Sequence, residues 1–130
     1  MRRETDYALQ MIKLLIKANS RVLSLNDIAV ESKISFLFLQ KIARKLRLAK
    51  IIKAHQGVAG GYTLNVEPKK TSILKVIEAI EGQSCLLACL NKKKNIVCCG
   101  EKKNCVLKNK ISKVNSQLIK ILEKVKLSDI

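Results

Sequence analysis

Between Thr5 and Ala18 the apolar side chains Tyr7, Met11, Leu14, Leu15 and Ala18 return at helical spacing and predict an amphipathic first helix. Ser24 precedes Asn26-Asp27-Ile28-Ala29, where its hydroxyl is placed to cap a short second helix running to about Ser32. Lys33-Ile34 reads as a turn and Ser35 as the cap of a third helix, which carries Leu39, Ile42, Ala43 and Leu46 inward and ends near Leu48. Ile51-Ile52-Lys53-Ala54-His55 then has strand character, Gly57-Val58-Ala59-Gly60-Gly61 is a turn region, and Tyr62-Thr63-Leu64 is a second short strand. Two helices joined by a tight turn behind a supporting helix make a helix-turn-helix. A β-hairpin directly after the third helix makes a wing.

Pro68 and Thr71-Ser72 punctuate the chain before a fourth helix with Ile73, Leu74, Val76, Ile77 and Ile80, closed by Glu81-Gly82. From Gln83 to Asn104 no period is visible, only cysteines, Lys92-Lys93-Lys94 and Gly100. A loop of that length in a small protein signals function or disorder. Beyond it, Leu107, Ile111, Val114, Leu118, Ile121 and Val125 step by four, three, four, three and four, as in the seam of a helix packed along a partner helix. The chain offers no second helix of comparable length, so self-association about a two-fold axis is expected, with folding back on its own domain as the alternative.

The predicted fold class is mainly α with a small β-wing: a winged helix-turn-helix plus a long C-terminal dimerisation helix. It divides into a winged DNA-binding domain (1–66), a connecting helix (67–82), a cysteine-rich loop (83–104) and the dimerisation helix (105–127).

Charge then narrows the partner. In 130 residues, 26 Lys+Arg against 10 Asp+Glu leave a formal net charge of +16, which favours a polyanion. Nucleic acid is the first candidate, an anionic membrane surface the second, and a generally lysine-rich proteome the bland alternative. Position decides among them: Lys41, Arg44, Lys45, Arg47, Lys50 and Lys53 lie on and after the third helix, with no acid between Glu31 and Glu67. Basic residues there contact phosphates, whereas polar residues near the helix N-terminus, Ser35 and Gln40, reach base edges. The expected contact set for double-stranded DNA is Ser35, Phe38, Gln40, Lys41, Arg44, Lys45 and Arg47, with Gln56 and Gly57 from the wing tip.

Hydrophobic content of 48% supports a core, and 3% aromatics argue against an aromatic-lined small-molecule pocket. No apolar run reaches transmembrane length, and Met1-Arg2-Arg3-Glu4 leads into an amphipathic stretch, so a cytoplasmic protein with no membrane partner is expected. An enzyme is not expected, for want of a nucleophile–base arrangement, a phosphate-binding glycine loop or a carboxylate pair.

In a reducing compartment the five cysteines, all between Cys85 and Cys105, point to metal or redox chemistry and away from structural disulfides. Their spacing is Cys85-x3-Cys89, then the Cys98-Cys99 pair, then Cys99-x5-Cys105, without a C-x2-C pair and with the sole histidine, His55, in the wing. Soft thiolates on a loop beside a helix start suit an iron–sulfur cluster. Reactive thiols without metal, and zinc at irregular spacing, remain alternatives.

Several of these fragments taken together resemble the Rrf-two family of bacterial regulators, over nearly the whole chain. Thr5-Asp6-Tyr7-Ala8-Leu9 is similar to its opening helix. Ser24 to Ala29, Ile34-Ser35 and Leu39 to Ile42 are similar to its helix-turn-helix, and Leu46 to Ile52 to the stretch leading to its wing. Gly57 with Gly60-Gly61-Tyr62 resembles the wing, and Ile77-Glu78-Ala79-Ile80-Glu81-Gly82 the helix before the cysteine loop.

The resemblance implies a homodimeric regulator on a palindromic operator, with repression as the expected sign. It would sense redox state, nitric oxide or iron–sulfur status through a cluster of two-iron or four-iron form. By their place after Glu81-Gly82, Cys89, Cys99 and Cys105 match the three ligand cysteines, Cys98 is the alternative to Cys99, and Cys85 has no counterpart. Some members use a histidine as fourth ligand where this chain has Lys108; others use an acid of the opposite subunit's first helix, where this chain has Asp6. Otherwise Asp6 is a residue favoured by the helix macrodipole. Two departures touch the operator: Gln56 stands at a wing position often occupied by Arg, and Phe36-Leu37-Phe38 makes the start of the recognition helix unusually apolar. The rival functions are a cluster-free thiol-redox regulator and a protein-interaction adaptor held by structural zinc.

Overall fold

The computed structural model describes residues 3–82 and 106–130. Helix α1 spans Arg3–Lys17, starting two residues before the predicted Thr5. Helix α2 (Leu25–Ser32) begins as expected at Ser24, whose hydroxyl accepts from the Asp27 amide while the Asp27 carboxylate accepts from the Ser24 amide. That reciprocal pair satisfies two donors a helix start leaves open, typically about 1 kcal/mol for such a cap. Lys33 ends α2 at φ 59°, in the left-handed region, and so turns the chain into α3 (Phe36–Leu48). Ser35 occupies the cap position of α3, but its side chain makes no cap hydrogen bond; the predicted capping role is corrected, and the residue stays exposed.

Strands β1 (Ile52–His55) and β2 (Gly61–Leu64) pair antiparallel, Ile52 opposite Leu64 and His55 opposite Gly61. The hairpin is held to the helices by Leu23, an element absent from the predicted set. Leu23 and Tyr62 exchange both backbone hydrogen bonds, at 3.1 and 2.8 Å. Gly61 permits this approach, because a Cβ there would collide with the Leu23 carbonyl.

Helix α4 (Ile73–Glu81) follows, closed by Gly82 at φ 88°. The last helix, α5, spans Val106–Lys124 and stops short of the predicted residue 127. Beyond it the chain leaves the helix because its backbone finds other partners: Ile73 N–H donates to the Val125 carbonyl (2.8 Å) and Leu127 N–H to that of Thr71 (2.9 Å). A short 3-10 turn, Leu127–Asp129, then buries Leu127 completely. Full burial of a leucine stabilises by roughly 1.5–3 kcal/mol, enough to anchor this end of α5 to the start of α4.

The core is one cluster: Ala8, Met11, Ile12 and Leu15 of α1 meet Leu39, Ile42, Ala43 and Leu46 of α3, together with Ile28, Ile51, Val76, Ile80 and Leu127. All four inward positions predicted for the third helix are buried. Helix α5 is divided instead. Ile111, Asn115, Ile119 and Leu122 are half-buried toward the domain, whereas Leu107, Val114, Leu118 and Ile121 stand exposed. Of the six positions of the apolar stripe, Ile111 and Val125 are half-buried within the chain itself.

Candidate nucleic-acid interface

Helix α3 presents two different polar faces. On the first, Gln40, Arg44 and Arg47 step by four and three and are all exposed; among the described residues neither arginine has an ion-pair partner. Leu37 (75% exposed) and Leu48 (71%) share this face as exposed apolar side chains. Ser35 stands exposed at its N-terminal edge.

The second face is turned against α1. Phe38, Lys41 and Lys45 step by three and four along it. The Phe38 ring meets Tyr7 edge-on, centroids 6.0 Å apart at 68°. Lys41 Nζ donates to Glu4 Oε1 at 2.8 Å and Lys45 Nζ to Glu4 Oε2 at 2.9 Å, so one carboxylate of α1 engages both ammoniums. Lys45 Nζ also reaches the Ile80 carbonyl of α4, at 3.4 Å. The Lys41 hydrogen bond first, and that of Lys45 second, hold the Glu4 carboxyl down at about 2 against its ordinary 4.5. The structure thus splits the predicted contact set. Ser35, Gln40, Arg44 and Arg47 are on the open face, while Phe38, Lys41 and Lys45 are engaged with α1.

In the wing, Gln56 and Gly57 are exposed at the hairpin tip as predicted, with Gly57 at φ 107° and Val58 fully exposed beside them. His55 faces across the hairpin, its Nε2 2.8 Å from Thr63 Oγ1.

The cysteine ligand candidates Cys89, Cys98, Cys99 and Cys105, and Cys85 with them, lie outside the described residues. Both flanks of their segment are described. It follows Gly82, one residue after Glu81, whose Oε1 accepts a 2.6 Å hydrogen bond from the buried Thr5 hydroxyl of α1. It ends where α5 begins at Val106. Asp6, the proposed fourth ligand, is exposed on the first turn of α1. Among the described residues no group of three or more His, Cys, Asp or Glu side chains is placed to hold a metal ion. None of the described helices is long and apolar enough to cross a membrane.

A helix-turn-helix, a wing behind it and a long terminal helix together define an architecture, and comparison decides its lineage. The family profile of the Rrf2 iron-dependent transcriptional regulators matches residues 1–130. The chain belongs to the Rrf2 family. Among Rrf2 relatives it is similar to the HTH-type transcriptional regulator NsrR of Shouchella clausii, 26% identical over 127 residues, covering 97% of this chain and 84% of NsrR. Its fold is similar to that of T. potens IscR, with TM-score 0.75 at 23% identity over 99% of this chain and 83% of IscR. It is likewise similar to CymR, the global cysteine regulator of B. subtilis, with TM-score 0.77 at 23% identity over 99% and 93% of the two chains. The protein is a winged-helix Rrf2 transcriptional regulator and not an enzyme.

Residue reading missed two features of the interface. Glu4, the acid just before the Thr5-Asp6-Tyr7 stretch, carries no motif of its own, and only the packing of α1 on α3 brings it to Lys41 and Lys45. Leu23 sits in a two-residue apolar run, Val22-Leu23, too short to announce a strand.

Proposed function

We propose that this Rrf2 regulator is a cytoplasmic homodimer that represses transcription from a palindromic operator and senses redox state, nitric oxide or iron–sulfur status through its cysteine segment. The observation that carries the reading is the place of that segment: it joins Glu81, tied to α1 by Thr5, to α5, whose exposed Leu107, Val114, Leu118 and Ile121 fit a second copy of the same helix. A change within the segment acts at once on the packing of the reading head and on the dimer seam.

On DNA, Arg44 and Arg47 are the phosphate contacts, Gln40 and Ser35 reach base edges, and Leu37 suits a thymine methyl group. Gln56 and Gly57 bring the wing tip to the neighbouring groove. The donor set suits an iron–sulfur cluster, with five soft thiols in one short segment and no histidine near them in sequence. Cys89, Cys99 and Cys105 would hold it, with Cys98 as the substitute for Cys99 and Asp6 of the other subunit as fourth ligand. When bound, the cluster supplies a centre whose ligation changes on oxidation or on attack by nitric oxide. The protein's share is to transmit that change as a difference in DNA affinity, on the order of 1–3 kcal/mol for useful switching.

A second reading keeps the regulator without the cluster, and the surplus thiols Cys85 and Cys98 favour it together with the likeness to CymR. Two thiols and one peroxide would yield a disulfide and two waters, reversed by a dithiol.

Anaerobic purification separates the two. A brown protein with stoichiometric iron and sulfide, lost in Cys89→Ala, Cys99→Ala and Cys105→Ala, is the expected result. A colourless protein whose duplex affinity follows reversible thiol oxidation selects the second reading. A monomer indifferent to its cysteines sinks both.

A further inference from the structure

The recognition helix carries more positive charge than the structure leaves available to DNA, and the difference is Glu4. No acid occurs between Glu31 and Glu67, so neither α3 itself nor the wing supplies a carboxylate to these lysines. The counter-charge comes from α1, 37 residues before Lys41 and 41 before Lys45, in bonds of 2.8 and 2.9 Å. Glu4 is only 18% exposed while Lys41 remains 58% exposed, so the carboxylate is fixed in the α1–α3 crossing and the lysine lies at its rim. A carboxylate accepting from two ammoniums offers them what a phosphate would.

We infer that Glu4 acts as an internal phosphate surrogate: a specificity-determining residue that holds Lys41 and Lys45 off the DNA backbone, so that Gln40, Arg44 and Arg47 dominate the contact. Sequence-independent affinity grows with every phosphate neutralised, whereas discrimination comes from base edges. With the two lysines engaged inside the protein, random duplex gains less from the reading head and the operator loses nothing it depends on. Lys45, 30% exposed and also bonded to the Ile80 carbonyl, stays in place when Glu4 is neutralised. Lys41 is the one released.

The test is Glu4→Gln in the full-length protein, titrated against a random-sequence duplex and against a duplex selected for wild-type binding, across a salt series. Release of Lys41 steepens the log–log salt dependence by about one and raises affinity for random duplex about five- to tenfold near 0.1 M salt, with the gain vanishing toward 1 M. Discrimination between the two duplexes falls accordingly. Lys41→Met leaves the wild-type slope unchanged and abolishes the gain in the Glu4→Gln background. A Glu4→Gln protein with wild-type melting temperature and an unchanged or shallower slope overturns the inference. So does a slope made shallower by about one in Lys41→Met alone, which reads whether or not Glu4→Gln folds. The inference rests on DNA binding by this face: a wild type that ignores duplex DNA overturns that reading, whereas a wild type that binds with an unchanged Glu4→Gln slope overturns only this one.

Discussion

The buried hydroxyl of Thr5 donates to Glu81 across 2.6 Å, joining the first turn of α1 to the last residue of α4. Glu4, next in the chain, bonds the recognition helix, so neighbouring residues of one helical turn hold the reading head on one side and the root of the cysteine segment on the other. Thr5→Val keeps the shape and removes the donor. Loss of a hydrogen bond to a carboxylate costs about 1.5–3 kcal/mol. Urea unfolding followed by circular dichroism should show that loss, and the change in duplex affinity on oxidation should shrink.

Acid should remove a distinct part of the stability. Because Lys41 and Lys45 hold the Glu4 carboxyl at about 2 in the folded chain against 4.5 in the unfolded one, its contribution is complete above pH 4.5 and declines as pH falls toward 2. Wild type and Glu4→Gln, compared by denaturant titration of the metal-free protein, should differ most near neutral pH and converge toward pH 2. A difference that stays constant down to that pH contradicts the ion-pair account.

The wing depends on a residue without a side chain. In Gly61→Ala the new methyl meets the Leu23 carbonyl, and backbone on both sides has no room to give. Overpacking of this kind costs about 1–3 kcal/mol. Exchange of the Tyr62 amide, which bonds the Leu23 carbonyl in the wild type, should speed up selectively, and operator affinity should drop with it.

On the open face of α3, Arg44→Ala and Arg47→Ala should each weaken binding to any duplex and reduce the salt slope by about one. Gln40→Ala should leave the slope alone and cost roughly 1–3 kcal/mol of discrimination at one base position. Salt-dependent fluorescence anisotropy with operator variants tells the two classes apart.

Leu118→Glu and Val114→Glu place charge on the exposed face of α5 while leaving Ile119 and Leu122 against the domain. Sedimentation should report monomers with helical content retained. Dimers that survive both changes place the seam elsewhere.

Much of this architecture is written in local pattern. Helix positions, the Ser24 cap, the buried quartet Leu39, Ile42, Ala43 and Leu46, and the glycine-bounded hairpin all follow from spacing within a few residues, and spacing determines which side of an element faces in. The Ser35 side chain shows the limit: a residue type suited to capping occupies the cap position and makes no cap bond. Likewise the apolar steps of α5 mark a stripe, but whether Ile111 faces the domain or a partner depends on where the domain lies.

The sequence alone determined that a basic helix-turn-helix with a wing precedes a cysteine segment and a long amphipathic helix. Only the tertiary structure decided which of the basic residues are free. Lys41 and Arg44 look equivalent on paper, both cationic and both exposed; the crossing of α1 over α3 gives Glu4 to one and leaves the other open. The Thr5–Glu81 bond is the same kind of fact, 76 residues apart in the chain. Such pairings depend on the angle and offset at which elements pack, which no periodicity within either partner encodes.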